Sequence, residues 1–156
     1  MKTYRIAMVA ACPFPAAFAS SGLVRELSLA LVEHGHEVDV ITYHLGDMTY
    51  DTSGLGIYRI PNVPFYKKKC SGISPGKPIL DLLLCRKLLN VCRHQKYDLI
   101  HTHNYEAPPA AYYVRHRLNI PVVYHAHNTM FHELPTYFSN KSVKKVAKKL
   151  GTWMDH

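Results

Sequence analysis

Short runs of β-branched and other apolar residues alternate along this chain with longer stretches in which apolar positions recur every three or four residues. That alternation predicts βαβ units, and so an α/β fold with a Rossmann-like parallel sheet flanked by helices. Tyr4 to Ala10 reads as the first strand. Gly22 to His34 reads as a helix with Leu23, Leu27, Ala30 and Leu31 as its apolar stripe, stopped by Gly35. Glu37 to Tyr43 alternates as a strand, and Ile57 to Ile60 is a shorter one beyond a turn region from Leu45 to Gly56. The segment from Pro61 to Pro78 holds four of the ten prolines and reads as an irregular, exposed excursion. A helix over Ile79 to His94 and a strand over Tyr97 to His101 come next. Then follow a helix over Glu106 to Leu118, with Pro108 and Pro109 in its first turn, and a strand over Ile120 to Tyr124. Ser142 to Leu150 forms a short basic helix, and no internal repeat is present.

Composition narrows this picture. A length of 156 residues, 47% hydrophobic and 19% charged, suits a single domain able to bury a core. The formal net charge of +8 is wholly accounted for by two clusters, Lys67 to Lys69 and the group Lys141, Lys144, Lys145, Lys148 and Lys149. A nucleic-acid-binding face would spread its basic residues with aromatics between them, so no nucleic acid partner is expected. No run reaches the roughly 18 apolar residues of a spanning helix. The N-terminus resembles a secretory leader, with Lys2 and Arg5 ahead of an apolar stretch and a lipobox-like Val9-Ala10-Ala11-Cys12. However, Ile6 to Ala11 is too short for a leader core and reads better as a buried strand. Cys12, Cys70, Cys85 and Cys92 show no Cys-x-x-Cys spacing and read as reduced thiols, which suits the cytoplasm.

Candidate chemistry gathers at predicted strand ends, where open parallel sheets bind ligands. The connection from Cys12 to Ser21 is rich in small residues and ends at Ser20, Ser21 and Gly22, where the helix is expected to begin. A serine N-cap and the helix amides there suit a phosphate or a sugar hydroxyl, or form a plain capped turn. There is no Gly-x-Gly-x-x-Gly and no Gly-Lys-Ser/Thr, so neither a dinucleotide fingerprint nor a P-loop is present. The second constellation is His101-Thr102-His103-Asn104 with His125-Ala126-His127-Asn128, each pair of histidines two apart and so on one strand face, about 6.6 Å apart. On neighbouring strands the four imidazoles would converge, with Asn104, Asn128, Thr129 and Glu106 beside them. Neutral imidazoles offer a donor and an acceptor each to a polyhydroxylated ligand, and they also bind zinc. No carboxylate or cysteine stands at fixed ligand spacing, so no metal is assigned. A purely structural role for these histidines stays open. His34, His36, His94, His116 and His132 sit on polar edges and read as solvated.

Three segments now fall in register: Leu27 to Val40, Asp98-Leu99-Ile100-His101-Thr102-His103, and Pro121-Val122-Val123-Tyr124-His125-Ala126-His127. Together with Thr42 to Gly46 and Leu80 to Leu84, they make residues 3 to about 150 resemble the N-terminal half of the GT-B glycosyltransferases of family four. The resemblance implies the acceptor-side domain of a retaining transferase that moves a sugar from a nucleotide-sugar donor to a glycan or lipid-linked acceptor, without a further cofactor. It places Ser20, Ser21 and Gly22 at the donor-phosphate loop, where the family carries two glycines. It makes His125 the active-site histidine, positioning and polarising rather than attacking, and it lines the acceptor side with His101, His103, Asn104, Glu106, His127, Asn128 and Thr129.

The family also carries a second Rossmann-like domain with the nucleotide pocket and a pair of glutamates eight apart. That domain is absent here, as is the strand that follows the basic helix in the family. The expectation is therefore a truncated product, an isolated domain or one half of a split enzyme with a separately encoded C-terminal half, inactive alone. Two other readings stand beside it: a small metal-dependent hydrolase using the histidines, and a non-catalytic remnant or docking module. In the basic helix Val143, Val146, Ala147 and Leu150 share a face opposite the five lysines. This suits either a solvated helix packed on the sheet or peripheral contact with the inner face of an anionic membrane.

Overall fold

The computed structural model describes residues 2–67, 74, 76–127 and 129–154. Lys68, Lys69 and Cys70 of the proline-rich excursion, and Asn128 of the second histidine motif, lie outside them. Residues 1–125 and 126–156 are separate compact units. In the first, β1 (Arg5–Ala10), β2 (Glu37–Thr42), β3 (Leu55–Arg59), β4 (Leu99–His103) and β5 (Val122–His125) form one sheet in the order β3-β2-β1-β4-β5, parallel throughout. Helices α1 (Ala19–Glu33), α2 (Lys77–His94) and α3 (Ala107–Leu118) make the crossovers that parallel pairing demands. The Rossmann-like reading is thus the observed architecture.

β1 is central and covered on both faces, which is why its sequence runs apolar without alternation. The leader-like stretch is this strand. Its odd residues Ala7, Val9 and Ala11 join Ile41, Tyr43 and Ile100 in a core closed by Leu80, Leu84 and Leu88 of α2 and by Ala107, Ala110, Ala111 and Val114 of α3. Each of the three leucines is fully buried, contributing about 1.5–3 kcal/mol. The even residues Met8 and Ala10 join Cys12, Phe14, Val38 and Val40 beneath α1.

The predicted face of α1 is corrected. Val24 and Ser28 are fully buried, Leu27 and Leu31 only flank that core, and Leu23 is exposed. The helix also starts at Ala19, three residues ahead of the expected start, with Phe18 as an N-cap lacking a side-chain bond. Gly35 ends it as expected, at φ 83°, where the amide of His36 reaches back to Leu31 O at 3.0 Å. β4 and β5 each start two residues later than predicted, β4 at Leu99 opposite Ile6 of β1 and β5 at Val122 opposite Ile100 of β4.

The two ends of the sheet are closed by polar groups. At the amino end Arg5 donates to Asp39 Oδ2 at 3.0 Å and to Gln95 Oε1 at 2.7 Å. Tyr97 donates to the same Asp39 oxygen at 2.6 Å, and Gln95 Nε2 donates to Tyr58 Oη at 2.7 Å. Gly56 leaves room for this carboxylate: a Cβ there would stand 1.9 Å from Asp39 Oδ1. At the carboxyl end the loop after β1 is tied to the loop after β2. Phe14 N donates to Leu45 O at 3.0 Å and Asp47 N to Pro15 O at 2.7 Å. Gly46 permits that approach, since a Cβ would meet Phe14 O at 2.2 Å.

The second unit contains α4 (Met130–Glu133), a 3₁₀ turn (Leu134–Tyr137) and α5 (Lys141–Met154), longer than the predicted basic helix at both ends. Asn140 caps α5, its Oδ1 accepting from Ser142 N at 2.9 Å. Lys144, Lys145, Lys148 and Lys149 are exposed, and so are Val143, Val146 and Leu150, while Ala147 is buried. Lys148 Nζ stands 4.3 Å from the centre of the Phe131 ring. No described helix is long and apolar enough to cross a membrane.

Candidate functional site

In the order β3-β2-β1-β4-β5 the connections reverse direction between β1 and β4, and the crevice beyond the carboxyl ends of those strands is where a doubly wound sheet binds ligands. Register decides which side chains arrive there. Met8 pairs with His101, Ala10 with His103, and His103 with His125. Paired residues of neighbouring strands point to the same face, as do residues two apart. His101, His103 and His125 therefore converge on the α1 side of the sheet. Their ring centres are 4.6 Å (His101–His103), 5.1 Å (His103–His125) and 6.0 Å (His101–His125) apart. His103 is fully buried, with Nε2 2.9 Å from Met8 Sδ, while His101 and His125 are half-buried and reachable.

These histidines belong to the strand ends, where they were expected just beyond them. A strand holds its side chains more firmly than a loop does. His127 and Thr129 belong to the second unit, where Thr129 O accepts from His132 N at 3.1 Å as α4 begins.

Glu106 is engaged by a lysine. At the start of α3 it forms an ion pair with Lys77 of α2, the two side chains only 9% and 14% exposed. Its Oε2 is buried without a hydrogen-bond partner, as is Oδ1 of Asn104, which sits in the left-handed region at φ 65°. Asn104, Lys77, Tyr43, Tyr66 and Cys12 line a small cleft at the end of β1. Asp81 and Glu106 lie at the polar end of a larger, mainly apolar cleft of about 640 Å³ between α2 and α3, walled by Leu82, Cys85, Leu89 and Tyr113. Tyr43 donates to Asp81.

Electrostatics keeps this region quiet. Burial, with the Glu106 charge adding to it, pushes the Cys12 thiol up to about 12, so it is no nucleophile. Burial and the Asp81 charge raise Tyr43 too, leaving a neutral phenol that serves as a donor. Burial likewise raises the Asp81 carboxyl above its ordinary range. Lys77 left no signal in the sequence, since it falls in the segment read as irregular. Tyr43 stands within the Thr42 to Gly46 stretch, but only the fold shows that it meets Asp81.

The serines depart from the expected capping role. Ser20, Ser21 and Gly22 lie inside the first turn of α1, and the fully buried Ser21 hydroxyl accepts from Ala16 N at 2.9 Å. Ser21 thus folds the loop after β1 onto the helix. Gly22 has open space around the position of a Cβ.

The fold is shared with several solved structures. A sucrose-phosphate synthase from Thermosynechococcus elongatus superposes with a TM-score of 0.67 at 17% identity, over 95% of this chain and 40% of that one. The calicheamicin glycosyltransferase CalG4 gives 0.59 at 16% identity, over 100% and 44%. A transferase from Siraitia grosvenorii, in complex with UDP, gives 0.53 at 14% identity, over 86% and 30%. The chain thus spans less than half the length of each of these proteins. No curated protein matches the sequence. Residues 22–156 match the model of Glycosyltransferase Family 4, and the chain belongs to that family.

Proposed function

We propose that this chain is the N-terminal, acceptor-side half of a retaining glycosyltransferase that moves a sugar from a nucleotide-sugar to a glycan or lipid-linked acceptor. The observation that carries the reading is the convergence of His101, His103 and His125 at the switch point of a family-four domain. Half-buried imidazoles on strand ends meet sugar hydroxyls with a donor and an acceptor each, on a frame that holds them in place. His125 positions and polarises the sugar at the reacting centre, His101 and Asn104 line the acceptor side, and the fully buried His103 packs behind them. The first-turn amides of α1, beside Ser20, Ser21 and Gly22, face the donor phosphates.

Nucleotide binding belongs to a second domain, in the same polypeptide or as a separately encoded partner, and the 156 residues alone do not transfer sugar. Free thiols at Cys12, Cys85 and Cys92 suit a reducing cytoplasm. The exposed lysines of α5, with Val143, Val146 and Leu150 also exposed, suit peripheral contact with anionic lipid. The hydrolase reading finds three imidazoles, but Glu106, its nearest candidate base in sequence, is held by Lys77.

Saturation-transfer NMR of the chain with a panel of oligosaccharides tests the site, alongside incubation with nucleotide-sugars assayed for released sugar. Saccharide binding that His101→Ala and His125→Ala each weaken by about tenfold or more is expected, with no sugar released. Binding untouched by both changes overturns the site, and robust release by the chain alone overturns the two-domain reading.

A further inference from the structure

We propose that His101, His103 and His125 form a binding site for one divalent transition-metal ion of the zinc class. One ligand nitrogen from each ring lies within 4.8 Å of those of the other two. A tetrahedral zinc ion with Zn–N bonds of about 2.0–2.1 Å sets its ligand nitrogens about 3.3 Å apart. Binding an ion therefore draws these nitrogens together by at most about 1.5 Å. The strand register supplies the rest of the geometry, because the pairs Met8–His101, Ala10–His103 and His103–His125 fix all three Cβ atoms on one face of adjacent strands.

The ring that has no freedom is already oriented. A thioether sulfur accepts and cannot donate, so in the 2.9 Å contact with Met8 Sδ it is His103 Nε2 that donates. Such a bond at the other ring nitrogen is what supports histidine ligands in metal sites. His101 and His125 are half-buried, so an ion can reach them from the crevice. An all-imidazole set favours zinc, copper or nickel over magnesium or calcium, which require oxygen. Three protein ligands also leave a fourth position for water or another small ligand.

The site does not depend on the sugar-transfer reading, since an ion and a sugar hydroxyl would use the same lone pairs and either can bind where the other does not. The test therefore reads metal alone. The full chain, purified without a histidine tag and stripped by a chelator, is titrated with zinc by calorimetry and with cobalt by visible absorption. One equivalent per chain is expected, with the intense bands of low-coordinate cobalt. His101→Ala and His125→Ala should each weaken zinc by about tenfold or more, while a His34→Gln/His36→Gln control leaves it unchanged. These two sites are chosen because His103 is buried and its loss threatens folding. Should either variant fail to fold, substoichiometric zinc added to the 15N-labelled parent decides, by shifting the ring signals of these three histidines. Absence of binding at micromolar zinc, a double variant that binds as tightly as the parent, or ring shifts confined to other histidines overturns the proposal.

Discussion

The amino and carboxyl ends of this one sheet are built from similar polar residues and treat them in opposite ways. At the amino end Arg5, Asp39, Gln95, Tyr97 and Tyr58 satisfy one another in a closed network. At the carboxyl end Asn104 Oδ1, Glu106 Oε2 and His44 Nδ1 are buried without hydrogen-bond partners, and three imidazoles crowd together. A buried polar atom without a partner costs about 1–3 kcal/mol, so a fold tolerates several at one end when that end has another task. The contrast teaches that satisfaction of polar groups, more than their number, separates the stabilising end from the binding end.

The sharpest way to break the contrast is at Asp39. Asp39→Ala removes the acceptor shared by Arg5 and Tyr97 and is expected to destabilise by about 3 kcal/mol, read from urea denaturation. A loss below about 1 kcal/mol would mean that the amino-end network does not hold the fold. Next in size is the paired change Lys77→Met with Glu106→Gln at the other end. Removing both charges of a buried pair together is expected to leave stability within about 1 kcal/mol of the parent or raise it. Equal damage from the two experiments would erase the distinction between the ends.

The smallest effect concerns pH. Burial raises the Asp81 carboxyl above its ordinary 3.8, with Glu106 adding and with Tyr43 and Lys77 opposing. A folded-state pKa above the unfolded one gives stability that is complete below 3.8 and lost as pH rises through the folded value. Asp81→Asn should flatten that decline in thermal unfolding measured across acidic pH. A parent whose stability instead rises over the same window, unchanged by Asp81→Asn, would show that this carboxyl is not the group at work.

Much of the frame was legible in the sequence because parallel strands buried on both faces leave continuous apolar runs, as at Ile6 to Ala10. Gly35 and the paired prolines of α3 marked helix ends for stereochemical reasons that hold in any fold. Other features depend on long-range register and left no local trace. The strand starts slipped at β4 and β5 because pairing with the neighbouring strand, β1 for β4 and β4 for β5, rather than local propensity, fixes where a ladder begins and stops. The stripe read on α1 was misplaced for a similar reason: Ser28, a polar residue, is buried because the helix approaches the sheet there. At the site, histidines two apart announced a shared strand face, whereas the Lys77–Glu106 pair joins residues 29 apart in sequence and could be found only by folding the chain.

The tie between the loops after β1 and β2 has a dynamic consequence. Phe14–Leu45, Asp47–Pro15 and the bare backbone of Gly46 couple the two loops, so opening of one is expected to involve the other. Local unfolding in the first would have to break both of those bonds, so the connection leading into α1 and the segment after Thr42 share a single opening equilibrium. A ligand that orders either loop lowers the entropic cost of ordering the other, so the rim of the crevice responds to binding as one cooperative element.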